Sequence, residues 1–139
     1  MTSSKNTLNH KVNKSFKLRA YPNKNMLNQI FKTFGCNRFI YNELLKMEQF
    51  KYNFNCGTAP PKNYETLIKE IHPFLKEVDS TTLQQSRRNL FKAFQNFFRR
   101  LKGGESPGYL KFKSRHNNRQ SFRTTNKKVD LIKKNSIFP

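Results

Sequence analysis

The chain has 139 residues, with 28 Lys and Arg against 8 Asp and Glu, a formal net charge of +20 and a pI near 10.4. Like charge at this density opposes compaction unless a polyanion supplies the counter-charge, so composition points to nucleic acid ahead of a membrane surface or an acidic protein. No stretch approaches the ~20 apolar residues of a transmembrane span, and residues 1–14 are polar where a signal peptide would be apolar; the expected setting is intracellular, the cytoplasm or nucleoid of a prokaryotic source.

Residues 1–13 read as a polar, frayed tail. From Ser15 to Tyr21 polar and apolar residues alternate, the period of a half-buried strand with Phe16 and Leu18 inward and Lys17 and Arg19 outward. Pro22-Asn23 ends it. A helical pattern then runs from Lys24 to about Phe54, with Leu27, Ile30, Phe31, Phe34, Tyr41 and Leu45 on one broad stripe. Gly35 inside it suggests close packing or a bend, since glycine costs about 1 kcal/mol against alanine there.

Residues 55–61 read as a loop, and Tyr64–Ile71 as a short helix stopped by His72-Pro73. Asp79 and Ser80 offer N-caps for a helix to about Lys102. Its apolar face carries Leu83, Leu90, Phe94 and Phe97; its other faces carry Arg87, Arg88, Lys92, Arg99 and Arg100. Gly103–Gly108 breaks the helix. Tyr109–Lys113, Gln120–Thr125 and Val129–Lys133 read as further strands. The fold class expected is α+β, with one strand, a helical insert, and then strands.

Two of these segments, Tyr109–Lys113 and Gln120–Thr125, interleave aromatic with basic residues. On a strand this sets a stacking ring beside a phosphate clamp, although alternate aromatics also suit a core. Two helices joined by a turn suggest a helix-turn-helix, but the connection between residues 54 and 80 far exceeds the roughly 3–4 residues of that motif's turn. Catalysis has little support. The eight carboxylates do not converge as a two-metal nuclease requires. Cys36, Cys56, His10, His72 and His116 lack ligand spacing, so no metal and no cofactor is expected. Charge is spread over the whole chain: residues 1–25 hold six basic and no acidic residues, and residues 102–139 hold ten against two.

The order of motifs is more specific than any one of them. Phe16–Pro22, Phe34–Asn42, Leu75–Ser80, Leu83–Gln85, Phe94–Phe98, Gly108–Lys113 and Ser121–Asn126, in that order, resemble the amino-terminal region of the TnpB (OrfB) family, the transposon-associated RNA-guided DNA nucleases long labelled transposases. The resemblance covers about residues 14–139. It implies a small β-barrel, the wedge, interrupted after its first strand by a helical recognition domain. The corresponding division is a tail at 1–13, a first wedge strand at 14–22, a recognition insert at 23–102 and the remaining wedge strands, incomplete, at 103–139.

The resemblance also implies partners: DNA and structured RNA, with no membrane. Base pairing would read sequence while the protein reads duplex shape and a short target-adjacent DNA motif. It places Tyr64, Gln84, Thr125 and Asn126 at that motif. Lys17, Arg19, Arg38, Arg87, Arg88, Lys92, Lys111, Lys113 and Arg123 are the expected backbone clamps. The family's RuvC-like nuclease and zinc ribbon have no counterpart in this sequence. The chain is therefore expected to bind without cleaving, as a remnant or as one half of a split endonuclease whose RuvC-like half is separately encoded. A ribosomal type of RNA-binding protein is the alternative from another class, against which the seven ordered blocks argue.

Overall fold

A computed structural model describes residues 12–54 and 62–125. It contains three α-helices, α1 (Lys24–Phe54), α2 (Tyr64–Ile71) and α3 (Ser80–Lys102), with a 3-10 turn, Pro73–Glu77, between the last two. Local chemistry fixes the helix ends. The Asn23 side chain accepts the Met26 N–H at 2.9 Å and opens α1. Asp79 caps α3 by accepting the Thr81 N–H at 3.1 Å, so a carboxylate also faces the positive end of the helix dipole. At the far end Gly103 donates to the Arg99 carbonyl and Gly104 to that of Leu101. Gly104 has φ of 78°, a conformation that a β-carbon disfavours, which is why the helix stops at a glycine.

The core lies between the middle of α1 and the first half of α3. Cys36, Ile40, Tyr41, Leu44 and Leu45 enter from α1, and Leu83 and Leu90 from α3. Tyr64 and Ile68 of α2 and Leu75 and Val78 of the connection complete it. Ion pairing and hydrogen bonding fasten the 3-10 turn to α1: Lys32 Nζ lies 2.7 Å from Glu77 Oε2, and Gln29 Nε2 donates to the Glu77 carbonyl at 2.8 Å. The Cys36 thiol is buried, donates to the Phe74 carbonyl at 3.9 Å, and is pushed above the usual thiol range mainly by that burial.

The α+β expectation is overturned: the described residues are helical or irregular and contain no strand and no barrel. Alternation of polar and apolar residues is a property of extended backbone. A strand also requires a neighbouring chain to complete its hydrogen-bond ladder. Residues 105–125 make one backbone–backbone bond among themselves, Asn117 N–H to the Ser114 carbonyl. Their backbone groups turn to side chains instead: those of Lys113 to Asn42 of α1, and those of Arg115, His116, Asn117 and Arg119 to Ser114, Asn117 and Gln120 of the tail itself. Phe16 and Leu18, expected inward, are 82% and 80% exposed, because no second layer covers that face of the extended segment 12–22. The predicted strand at Val129–Lys133 lies outside the described residues.

Candidate nucleic-acid interface

After α3 the chain doubles back as an extended tail over α1 and the start of α3. Polar and ring contacts hold it there, among them three hydrogen-bonded pairs. Asn42 of α1 donates through Nδ2 to the Lys113 carbonyl at 3.0 Å and accepts the Lys113 N–H on Oδ1 at 2.8 Å. Arg38 Nη1 donates to Gln120 Oε1 at 2.5 Å. At the α3 cap Thr124 Oγ1 donates to Asp79 Oδ2 at 2.8 Å, an oxygen that also accepts the Thr81 hydroxyl at 2.6 Å. These hydroxyl and backbone donors hold the Asp79 carboxyl below the usual carboxylate range, Thr81 contributing most.

Between the tail and the two helices lies a polar groove. Phe34, Asn37 and Arg38 line it from α1; Thr82, Gln85, Ser86 and Asn89 from α3; and residues of 113–123 from the tail. Four lining residues are cationic, Arg38, Lys113, Arg119 and Arg123, and none is a carboxylate. A groove lined by one sign of charge concentrates field and attracts anions.

The residues singled out from sequence fall in distinct surroundings. Lys17, Arg19, Arg88, Lys92 and Lys111 are exposed, with the Arg19 guanidinium 5.5 Å from the Tyr21 ring centroid. Arg123 is exposed at the groove, whereas Arg38 is half-buried in its bond to Gln120. The Lys113 ammonium sits 4.3 Å from the centroid of Tyr41, and burial draws its pKa below the ordinary lysine value. Arg87 does something else: its Nε lies 3.0 Å from Oε1 of Glu65, a side chain only 10% exposed, and so ties α3 to α2.

Of the residues assigned to a DNA motif, Gln84 and Thr125 are exposed. The Thr124–Asp79 bond brings Thr125 to the amino-terminal end of α3, where Gln84 follows one turn after Thr81. Tyr64 is buried in the core, its hydroxyl pushed up to about 12, first by burial and then by Glu43 and Glu65. Asn126 lies outside the described residues. Sequence reasoning missed Asn37, Asn42, Gln85, Asn117, Arg119 and Gln120. Amides are abundant in this chain, and only their meeting in space marks these. Among the described residues no group of three His, Cys, Asp or Glu side chains could hold a metal ion, and no helix is long and apolar enough to cross a membrane.

Residues 10–55 match a family described as "Helix-turn-helix domain", of the OrfB type found in IS605 elements. Within that span the described residues form an extended segment followed by the whole of α1. A curated relative, named "Putative RNA-guided DNA endonuclease" and from Streptomyces pristinaespiralis, is 33% identical over 117 residues, covering 79% of this chain and 27% of the relative. The chain thus spans about a quarter of the length of that relative. No solved structure matches it. A cationic helical module of this type is a nucleic-acid-binding region. These two matches support, specifically, an amino-terminal region of the TnpB/OrfB type.

Proposed function

We propose that this chain holds guide RNA and the target DNA paired with it, and that it binds without cleaving. The observation that carries the reading is the groove, with four cationic residues and no carboxylate in its lining, on a chain of net charge +20. Phosphate contacts of this kind position a strand, while base edges specify it. Exposed Lys17, Arg19, Arg88, Lys92 and Lys111, with Arg123, supply the positioning contacts. Gln84 and Thr125, together with Asn126, supply the reading contacts, since a glutamine amide can pair with adenine through two hydrogen bonds in the major groove.

Fluorescence anisotropy with labelled RNA and DNA, titrated across salt concentration, tests the proposal. Neutralising 6–8 phosphates gives a slope of log K against log salt of roughly −5 to −7; a slope near zero overturns it. Metal-dependent plasmid cleavage by the purified chain would overturn the binding-only part. Selection against a randomised duplex library separates the two classes of contact. Gln84→Ala relaxes a sequence preference, and Arg88→Ala weakens every sequence alike.

A further inference from the structure

Among the described residues six polar side chains are buried, and four of them, Asn37, Thr82, Gln85 and Ser86, line the groove. Burying polar groups costs free energy unless each has a hydrogen-bond partner. Thr82 has one, its hydroxyl donating to the Asp79 carbonyl at 2.8 Å. Asn37 Oδ1 is sealed from solvent and accepts no hydrogen bond. A half-turn about χ2 exchanges its oxygen for its nitrogen, so the same side chain can turn a donor or an acceptor toward the groove. Asn89 adds an exposed amide from α3. The rings of Phe34 and Phe122, also lining residues, meet edge to face at 5.7 Å between centroids.

The cations are arranged differently from the amides. Arg38 is half-buried and engaged by Gln120 and Lys113, though exposed, lies over Tyr41, while Arg119 and Arg123 are exposed on the tail. The interior of the groove is therefore neutral and amide-rich, and its free positive charge stands at the edge. A small inorganic anion would need the reverse arrangement.

We propose that the groove takes one unpaired nucleotide of a bound strand, with its base inward and its phosphate at the edge. The base is the flat group whose edge carries donors and acceptors for Asn37, Gln85 and Asn89. Arg119 and Arg123 meet the phosphate. Unpaired bases splayed from a strand are the usual object of such recognition. This inference rests on the nucleic-acid binding proposed above.

The test uses the full chain and two RNA hairpins, one with a single bulged nucleotide and one with that nucleotide made abasic, so that the phosphates are the same. The bulged hairpin is expected to bind roughly tenfold tighter or more, the scale of one good paired-amide contact. Gln85→Leu, an apolar replacement of similar size, brings the ratio close to one; Asn89→Ala, at an exposed position that does not threaten folding, reduces it. Arg123→Gln lowers affinity for both hairpins in parallel. Equal affinity of the unaltered chain for the two hairpins overturns the pocket and leaves general binding standing. A ratio unmoved by both Gln85→Leu and Asn89→Ala likewise overturns it. Absence of binding to either hairpin at low salt overturns the underlying function as well.

Discussion

The side-chain amide of Asn42 serves both backbone groups of Lys113, receiving its N–H at 2.8 Å and donating to its carbonyl at 3.0 Å. The geometry is that of one rung of a ladder, made by a helix side chain in place of a strand. With the Arg38–Gln120 and Asp79–Thr124 contacts it fixes where the tail lies and hence gives the groove its third wall.

Replacing that amide should release the tail. Asn42→Ala removes two hydrogen bonds, each worth about 1 kcal/mol net. Stability by urea unfolding should fall by about 1–2 kcal/mol. The Lys113 amide should lose protection from hydrogen exchange while the α1 and α3 core amides keep theirs. Unchanged protection at Lys113 would show that the tail is held by other means.

Gly35 suggests close packing or a bend from the sequence, and no close approach is found there. It lies inside the continuous helix α1, and a β-carbon there would have the Arg38 Nη2 atom as its nearest neighbour, at 3.9 Å. Gly35→Ala should therefore stabilise the chain by about 0.5–1 kcal/mol, by relieving the entropic cost of a helical glycine. A lower melting temperature for the variant would contradict this.

Arg87 and Arg88 are neighbours in sequence with opposite assignments. Arg87→Ala leaves Glu65 without its cation in a poorly solvated position, which costs about 1–3 kcal/mol of stability. Arg88→Ala should leave the melting temperature nearly unchanged and reduce the salt slope of nucleic-acid binding by about 1. Thermal melting and salt titration of the two variants side by side decide the matter. Equal melting temperatures would remove the structural role given to Arg87.

Acid should loosen the α3 cap. The Asp79 carboxyl is held below its ordinary value in the folded chain, so the folded state favours the charged form. Its stabilising contribution is complete above the unfolded-chain value of about 3.9. It is lost as pH falls from there through the lowered native value. Asp79→Asn keeps a capping oxygen but cannot titrate, so its melting temperature should vary less between pH 5 and pH 2. Identical pH profiles for the two proteins would show that Asp79 is not a source of the acid sensitivity.

Polyanion should stabilise the fold by mass action. At a concentration 100 times its dissociation constant, a ligand that binds only the folded state adds about 2.7 kcal/mol. Heparin or unlabelled RNA at low salt should raise the melting temperature, and added salt should abolish the rise. A melting temperature indifferent to both would argue against electrostatic binding.

The helices were legible because their signals are local. The Asp79 cap, the His72-Pro73 stop and the Gly103-Gly104 break act within a few residues, and helix bounds follow from them; Asn23 reads in sequence only as the end of the preceding segment, and the structure shows that it also caps α1. Partner-dependent features were not legible. Residues 109–113 and 120–125 have the alternation of strands, yet alternation specifies extended backbone and not the neighbour that would make it a sheet. Phe16 and Leu18 have the pattern of inward residues and are exposed for the same reason. Arg87, assigned to phosphate by its charge, lies beside Glu65, twenty-two positions away in the sequence, and nothing in either local sequence announces the pair.

By itself the sequence determined the charge that selects a polyanion, the family region, and the start and end of each helix. These depend on composition, on ordered motifs and on contacts between near neighbours. Only the tertiary structure decided that the tail returns over α1 and α3, that Asn42, Gln120 and Thr124 are among the residues that hold it, and that buried amides gather where the free cations do not. Those outcomes rest on side chains up to 82 positions apart, as in the Arg38–Gln120 bond. Such pairings are chosen by packing the whole chain at once, because no short segment contains both partners.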